Sequence, residues 1–324
     1  MDQRIEILKK KILNGGQIEK EEALSLCKAP VDELTAAANE LRQHFCGAQF
    51  DMCTIINGKC GRCSEDCKFC AQSSHYETSC HETYPLLPAE EMVAEAKRNT
   101  DRGVLRFSIV TSGKRLSDRE VDEVCNSIRE IRENAGIEVC VSFGLLSEEQ
   151  FRKIKEAGAS RVHCNLETSQ RFFSKVCTTH TFEEKVETLK AAQRAGLEVC
   201  SGGIMGLGES MEDRIDMVLT ARELGVKSIP VNVLNPILGT PFANNRILSN
   251  DEICQIIGIF RFLIPDGFIR LAGGRGLFAD KGRRSFTSGA NAAITGDMLT
   301  TAGITVESDQ KLLDELGYQI RLCE

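Results

Sequence analysis

The chain has 324 residues, the size of one barrel domain or of two smaller ones. Its 47 acidic and 40 basic residues give a formal charge of −7, which argues against a nucleic-acid partner. No apolar run is long enough to span a bilayer and no charged-then-apolar leader opens the chain, so a cytoplasmic protein without a membrane partner is expected. Fifteen cysteines accompany no tryptophan. In a reducing compartment thiols stay free, and such an excess points to metal rather than to disulfides.

Residues 1–46 read as a helical extension and 47–324 as the main domain. Within the extension Ile5, Leu8 and Ile12 recur at helical spacing, Asn14-Gly15-Gly16 stops that helix, and Pro30 opens another through Leu34, Ala38 and Leu41. After a first strand over Cys53–Ile56 a unit repeats, in which a helix ends at glycine and a short apolar strand follows. Gly103, Gly136, Gly158 and Gly196 precede strands expected at Val104–Val110, Ile137–Val141, Val162–Leu166 and Leu197–Ile204. Further strands are expected at Ile229–Leu234, Phe268–Leu271 and Ala290–Ile294. Eight strands alternating with helices specify a parallel sheet, and at this length the α/β class resolves to a closed (β/α)8 TIM-type barrel. Active sites of such barrels sit at the strand C-termini, which is where the loop after the first strand lies.

That loop contains Cys63-Ser64-Glu65-Asp66-Cys67-Lys68-Phe69-Cys70, three thiols at C-x3-C-x2-C spacing. Thiolates select zinc, copper(I) or iron–sulfur clusters. Structural zinc ordinarily takes four protein ligands in two separated knuckles, and neither Cys60 nor Cys80 completes a second knuckle. Three clustered thiols suit a four-iron cubane with one iron left open, with zinc and simple burial as the alternatives.

The run Asn57–Ser73 resembles the radical S-adenosylmethionine superfamily and, within it, the biotin synthase family. So do Cys200-Ser201-Gly202-Gly203-Ile204-Met205-Gly206-Leu207-Gly208-Glu209 and Ile269-Arg270-Leu271-Ala272-Gly273-Gly274-Arg275. The resemblance runs from about Phe50 to about Leu316. It implies a 4Fe–4S cluster on Cys63, Cys67 and Cys70 that binds S-adenosylmethionine at its open iron and releases a 5′-deoxyadenosyl radical. The radical takes hydrogen from dethiobiotin, and an auxiliary cluster, 2Fe–2S in the family, donates the sulfur. An electron donor such as flavodoxin or ferredoxin and a homodimeric state are implied as well. Hydrogenase-maturase-like and mutase-like enzymes share the fold and the cysteine triad and are the alternative reading.

Cys140 and Cys200 each stand four residues after a helix-ending glycine, so they should point the same way from their strands. The resemblance makes them lumenal ligands of the auxiliary cluster, with Arg270 as a further ligand. It also expects a cysteine within Leu105-Arg106-Phe107-Ser108, where this chain has Ser108. A hydroxyl is a poor iron ligand, and Cys53 on the first strand offers a substitute. Cys53, Cys140 and Cys200 are therefore expected to hold a rearranged auxiliary cluster, and three thiolates suit a four-iron cluster carrying an extra sulfide.

The resemblance further assigns Asn165 to substrate, Glu167 to the nucleoside ribose, Lys185 to the methionyl carboxylate and Asn232 to substrate or adenosine. It places Phe69 at the cofactor. Lys185 stands where the family has arginine and lacks the bidentate fork. Gly202 and Gly203 are expected to let backbone approach a ligand closely. Cys164 has the parity to face the helices, and Cys60, Cys80 and Cys177 fall in loops as spare or redox-active thiols, Cys177 having the best case as a ligand. Cys27, Cys46, Cys125, Cys254 and Cys323 read as packing or surface, and His75, His81, His163 and His180 as ordinary. Gly206-Leu207-Gly208-Glu209 does not complete a dinucleotide fingerprint.

Overall fold

The computed structural model describes residues 2–78, 82–299 and 303–322. Cys80, His81 and Cys323 lie outside them. The strands are β1 (Gln49–Lys59), β2 (Arg106–Thr111), β3 (Glu138–Ser142), β4 (Arg161–His163), β5 (Glu198–Cys200), β6 (Gly203–Met205), β7 (Ser228–Val233), β8 (Phe268–Leu271), β9 (Ala292–Ile294) and β10 (Gln319–Ile320). They pair in parallel in the order β1-β2-β3-β4-β5-β7-β8-β9, and β9 returns to β1 to close the barrel. β10 only extends the N-terminal end of β1.

The expected strand over Leu197–Ile204 is broken into β5 and β6, which pair one after the other with β7. Its break is steric. A Cβ on Gly202 would stand 2.0 Å from the Pro230 carbonyl, and one on Gly203 would stand 2.2 Å from the Glu167 carbonyl. The neighbouring strands therefore press onto this backbone from both sides, and only glycine fits. Elsewhere the boundaries shift by a few residues: β1 is longer than Cys53–Ile56, and β4 stops at His163 rather than Leu166.

Helices connect the strands on the outside, and their starts are chemically marked. Ser117/Glu120, Ser147/Gln150, Thr181/Glu184, Ser210/Asp213 and Ser249/Glu252 each form a reciprocal capping box. Gly136, at φ 64°, caps helix Asp118–Ala135 in the left-handed conformation and turns the chain into β3. Among the described residues, no helix is long and apolar enough to cross a membrane.

The N-terminal extension holds three helices, Gln3–Leu13, Lys20–Leu26 and Val31–Cys46, where the spacing of apolar residues suggested two. The extra one is a single seven-residue segment, started by a capping box on Glu19 and Glu22. Helix Val31–Cys46 packs along Asn250–Leu263, and Gly258 leaves room for Leu34 and Ala38 there. Near the strand N-termini helix Asn250–Leu263 carries Arg261, which is fully buried and ties it to the segments leading into β8 and β9. Its guanidinium donates to the carbonyls of Gly289, Pro265 and Gly267 at 2.8–2.9 Å and to Asn291 Oδ1 at 2.7 Å. Burial pulls its pKa below the ordinary arginine value. Truncation would strand these acceptors in a dry interior. Arg261→Ala should therefore lower unfolding free energy by about 3 kcal/mol or more in denaturant titrations. Arg261→Lys should recover only part, because a point charge cannot span four acceptors; full recovery would contradict this account.

Candidate active site

The barrel register decides which side chains meet in the lumen. Cys53 pairs with Arg106, which pairs with Glu138, two residues before Cys140. Cys140 pairs with Arg161, which pairs with Glu198, two residues before Cys200. Cys200 pairs with Ser228, which pairs with Phe268, two residues before Arg270. Arg270 pairs with Ala292, which pairs with Asp51, two residues before Cys53. Four steps of two residues give the stagger of eight that such barrels carry, and side chains so related from alternate strands share one layer. Cys53, Cys140, Cys200 and Arg270 thus make a complete layer, and all four line a cavity of about 350 Å³. By the same arithmetic Ser108, His163, Pro230 and Ile294 form the layer above. They line the cavity too.

Positive charge concentrates beneath the thiols. Arg106, Arg161 and Arg270 surround Asp51, whose carboxylate lies 2.8 Å from Arg270 Nη2, 3.6 Å from Arg106 Nε and 3.8 Å from Arg161 Nη1. Arg161 is also paired with Glu198, whose Oε2 accepts from its Nε at 2.9 Å and its Nη2 at 2.6 Å, so three guanidiniums face two carboxylates and leave one cation that a thiolate can balance. Arg270 Nη1 donates to Cys53 Sγ at 3.3 Å and Arg106 Nη1 to Cys140 Sγ at 3.8 Å. Burial still pushes Cys53 up to about 12, the Arg270 charge offsetting only part of it. Burial also raises Cys140 against the pull of Arg106 and Arg161. Cys200 goes the other way: burial pushes it up, but a hydrogen bond and charge from His163, with Arg270 and Arg161, bring it down to about 7. A ligand that favours the ionised sulfur would relieve the two raised thiols, as metals do. Arg106 Nε, buried without a hydrogen-bond partner, is a further donor for an anionic group. The donor set fits an iron–sulfur group ligated by three thiolates.

The loop after β1 crosses the barrel mouth. Phe69 reaches from it into the cavity. Cys63 is buried, and Cys67 and Cys70 are half-buried. Burial lifts Cys70 to about 11, with Cys63 and Glu167 close enough to add to the effect. None of the three thiols lines the cavity, but three thiols on the loop that sends Phe69 into it, with Glu167 close to Cys70, fit a cluster beside the mouth. Glu167 has φ 69°, a left-handed conformation unusual for a side chain of this length, which marks it as a strained position. Burial pushes its carboxyl up although Lys185, His163 and His180 pull it down, and its Oε2 has no hydrogen-bond partner. Lys185 has an ammonium held above its usual pKa: burial opposes the charge, while Cys164, Glu167 and Cys67 support it.

Asn165 accepts from the Gly202 amide at 3.2 Å. Asn232 donates to the Gly203 carbonyl at 3.1 Å and accepts from the Gly273 amide at 2.9 Å, so it ties β6 and the turn after β8 while facing the cavity. Gly202 and Gly203 are not among the cavity-lining residues, and their crowding is against Pro230 and Glu167 rather than against open ligand space. Cys164 is buried in the apolar core.

Sequence reasoning passed over several residues of this region. His163 lines the cavity against Cys200, and His180 is buried with its Nδ1 3.3 Å from Cys177 Sγ and 2.7 Å from Glu65 Oε2. Arg106 stands two residues before Ser108, and Asp51 two before Cys53; that strand phase alone could have placed both in the lumen.

The sequence profile of the Radical SAM superfamily matches residues 59–221, and that of the Biotin and Thiamin Synthesis associated domain matches residues 230–319. The chain is 57% identical over 317 residues to the biotin synthase of Brachyspira hyodysenteriae, covering 98% of this chain and 95% of that one. It is 56% identical over 312 residues to the biotin synthase of Akkermansia muciniphila, covering 96% and 97%. Among solved structures, methylornithine synthase superposes with a TM-score of 0.84 at 20% identity, covering 97% of both chains. The FeFe-hydrogenase maturase HydG from Carboxydothermus hydrogenoformans superposes with a TM-score of 0.83 at 16% identity, covering 99% of this chain and 80% of that one. At such identities these two likenesses speak for the fold. The full-length likeness to biotin synthases goes further: the chain belongs to the biotin synthase family of radical S-adenosylmethionine enzymes.

Proposed function

We propose that this chain forms biotin by radical insertion of sulfur into dethiobiotin, with the sulfur donor seated on Cys53, Cys140 and Cys200. The observation that carries the second part is the closed layer of Cys53, Cys140, Cys200 and Arg270 under one cavity. A maturase-like or mutase-like enzyme without a sulfur donor has no use for three lumenal thiols over three arginines.

In this reading Cys63, Cys67 and Cys70 hold a 4Fe–4S cluster, and Cys53, Cys140 and Cys200 hold an auxiliary cluster with four irons and an extra sulfide. When bound, the first supplies with S-adenosylmethionine the adenosyl radical, and the second supplies the sulfur. The chain's own part is placement and exclusion. Lys185 meets the methionyl carboxylate as a point charge, and Glu167, with one carboxylate oxygen unengaged, accepts the ribose hydroxyls. Phe69 covers the cofactor, and Asn165 and Asn232 orient substrate from the ends of their strands. Ile55, Val110, Ile204, Leu234 and Ile294 wall the path between the two centres, excluding water and offering a bound radical no easily abstracted hydrogen atom. Arg270 fixes Cys53 and, with Arg106, keeps a thiolate-bearing group electrostatically tolerable in the barrel. An electron donor of the flavodoxin or ferredoxin kind completes the reading.

Two measurements test the assignment. In Cys53→Ala, anaerobically reconstituted, iron and sulfide should fall to the content of the mouth cluster alone. S-adenosylmethionine cleavage should persist and biotin formation should stop; full second-cluster content would overturn the role of Cys53. Separately, Lys185→Ala should weaken S-adenosylmethionine binding about tenfold or more, as expected for the loss of one charged contact, and Lys185→Arg should restore it. Unchanged binding in Lys185→Ala would remove the carboxylate role.

A further inference from the structure

Cys67 does not face only its two loop partners. Its Sγ lies 3.7 Å from Sγ of Cys177, and Cys177 Sγ lies 3.3 Å from Nδ1 of His180. Among the described residues, these are the three ligand atoms found mutually within 4.8 Å. A tetrahedral zinc ion, with bonds of about 2.3 Å to sulfur and 2.0–2.1 Å to nitrogen, sets two sulfurs roughly 3.8 Å apart and a sulfur and nitrogen roughly 3.5 Å apart. The Cys67–Cys177 and Cys177–His180 spacings match two edges of that polygon, and the third edge lies within 4.8 Å. They do not suit a cubane, whose thiolates sit on different irons and stand farther apart.

The arrangement is built from two distant stretches of chain. Cys177-Thr178-Thr179-His180 lies between helices Gln170–Phe173 and Phe182–Arg194, and it is pinned against the cysteine loop. The Lys68 amide donates to the Val176 carbonyl at 3.0 Å. Asp66 Oδ1 accepts from the amides of Thr178 at 2.8 Å and Thr179 at 3.2 Å. Phe173 packs edge-on to the His180 ring with centroids 5.6 Å apart, which fixes the plane of the imidazole. Two carboxylates border the set without joining it: Glu65 Oε2 lies 2.7 Å from His180 Nδ1, and Asp66 Oδ1 lies 3.2 Å from Cys177 Sγ. Each shares a proton with a ligand atom now; a bound cation would take that proton's place and leave the carboxylates as nearby counter-charges. Buried Cys177 and His180 with half-buried Cys67 give the site a closed side and an open one.

We propose that Cys67, Cys177 and His180 form a site for one thiophilic divalent cation, of the zinc or ferrous class, that the chain fills whenever Cys67 is not held by a cluster. The cation and the mouth cluster then exclude each other through the shared sulfur. This second clause rests on Cys67 being a cluster ligand, whereas the binding of the cation does not.

The test uses the full-length chain without clusters, under reductant and without oxygen, with Cys63→Ala and Cys70→Ala present so that the mouth cluster cannot form. Zinc is titrated against a chromogenic chelator. Adding Cys177→Ala should remove one equivalent of tightly bound zinc or weaken it at least tenfold, and adding His180→Ala should do the same. Because the remaining thiols are the same in every variant compared, the difference belongs to this site. Unchanged stoichiometry and affinity in both variants, with unaltered circular dichroism, would overturn the proposal. In the chain with its cysteine triad intact, one equivalent of zinc should slow assembly of the mouth cluster, and Cys177→Ala should relieve the block. Assembly at full rate with zinc still bound would overturn the exclusion. None of these readouts depends on biotin formation.

Discussion

The two-residue stagger between alternate strands is the constraint on which the site depends. Once β1 pairs with β9 and the barrel closes, the register alone brings Cys53, Cys140, Cys200 and Arg270 to one height, although they are spread over more than two hundred residues of sequence. No loop has to fold correctly for this to happen. Precision of that kind suits a radical reaction, where donor, carbon and sulfur must be held near contact. A one-residue slip in any of the four strands would turn its member out toward the helices.

The second determinant is charge. Sulfur ligands buried in a barrel need compensation, and the chain supplies it from the layer below and from Arg270, around the carboxylate of Asp51, with Glu198 on Arg161. Buried guanidiniums are costly in isolation, and with Asp51 and Glu198 counted one of the three still lacks a carboxylate. The thiols provide the missing negative charge when they ionise. Opposite shifts at Cys53 and Cys200 show the balance varying across the layer, with His163 tipping it at Cys200.

Much of this was legible in the sequence because barrels repeat. Glycine-ended helices and apolar strands announced the eightfold alternation, and the common phase of Cys140 and Cys200 after their glycines placed them on one face. Cys53 could be proposed from the missing thiol at Ser108, but its height relative to the others could not, since that requires the pairing register. The break between β5 and β6 was hidden because it arises from the carbonyls of Pro230 on β7 and of Glu167 in the segment after β4. His180 escaped for a similar reason, and Cys177, singled out as the loop thiol with the best case as a ligand, could not be given its partner: Cys67 and Glu65 are more than a hundred residues away, and no local spacing signals the contact.

The most direct measurement is an anomalous-scattering map at the iron edge from crystals of the anaerobically reconstituted chain. The account predicts two separate iron sites, one at the loop bearing Cys63, Cys67 and Cys70 and one inside the barrel bonded to the sulfurs of Cys53, Cys140 and Cys200. An interior without iron, or an interior cluster that leaves the Cys53 sulfur unbound, would contradict it.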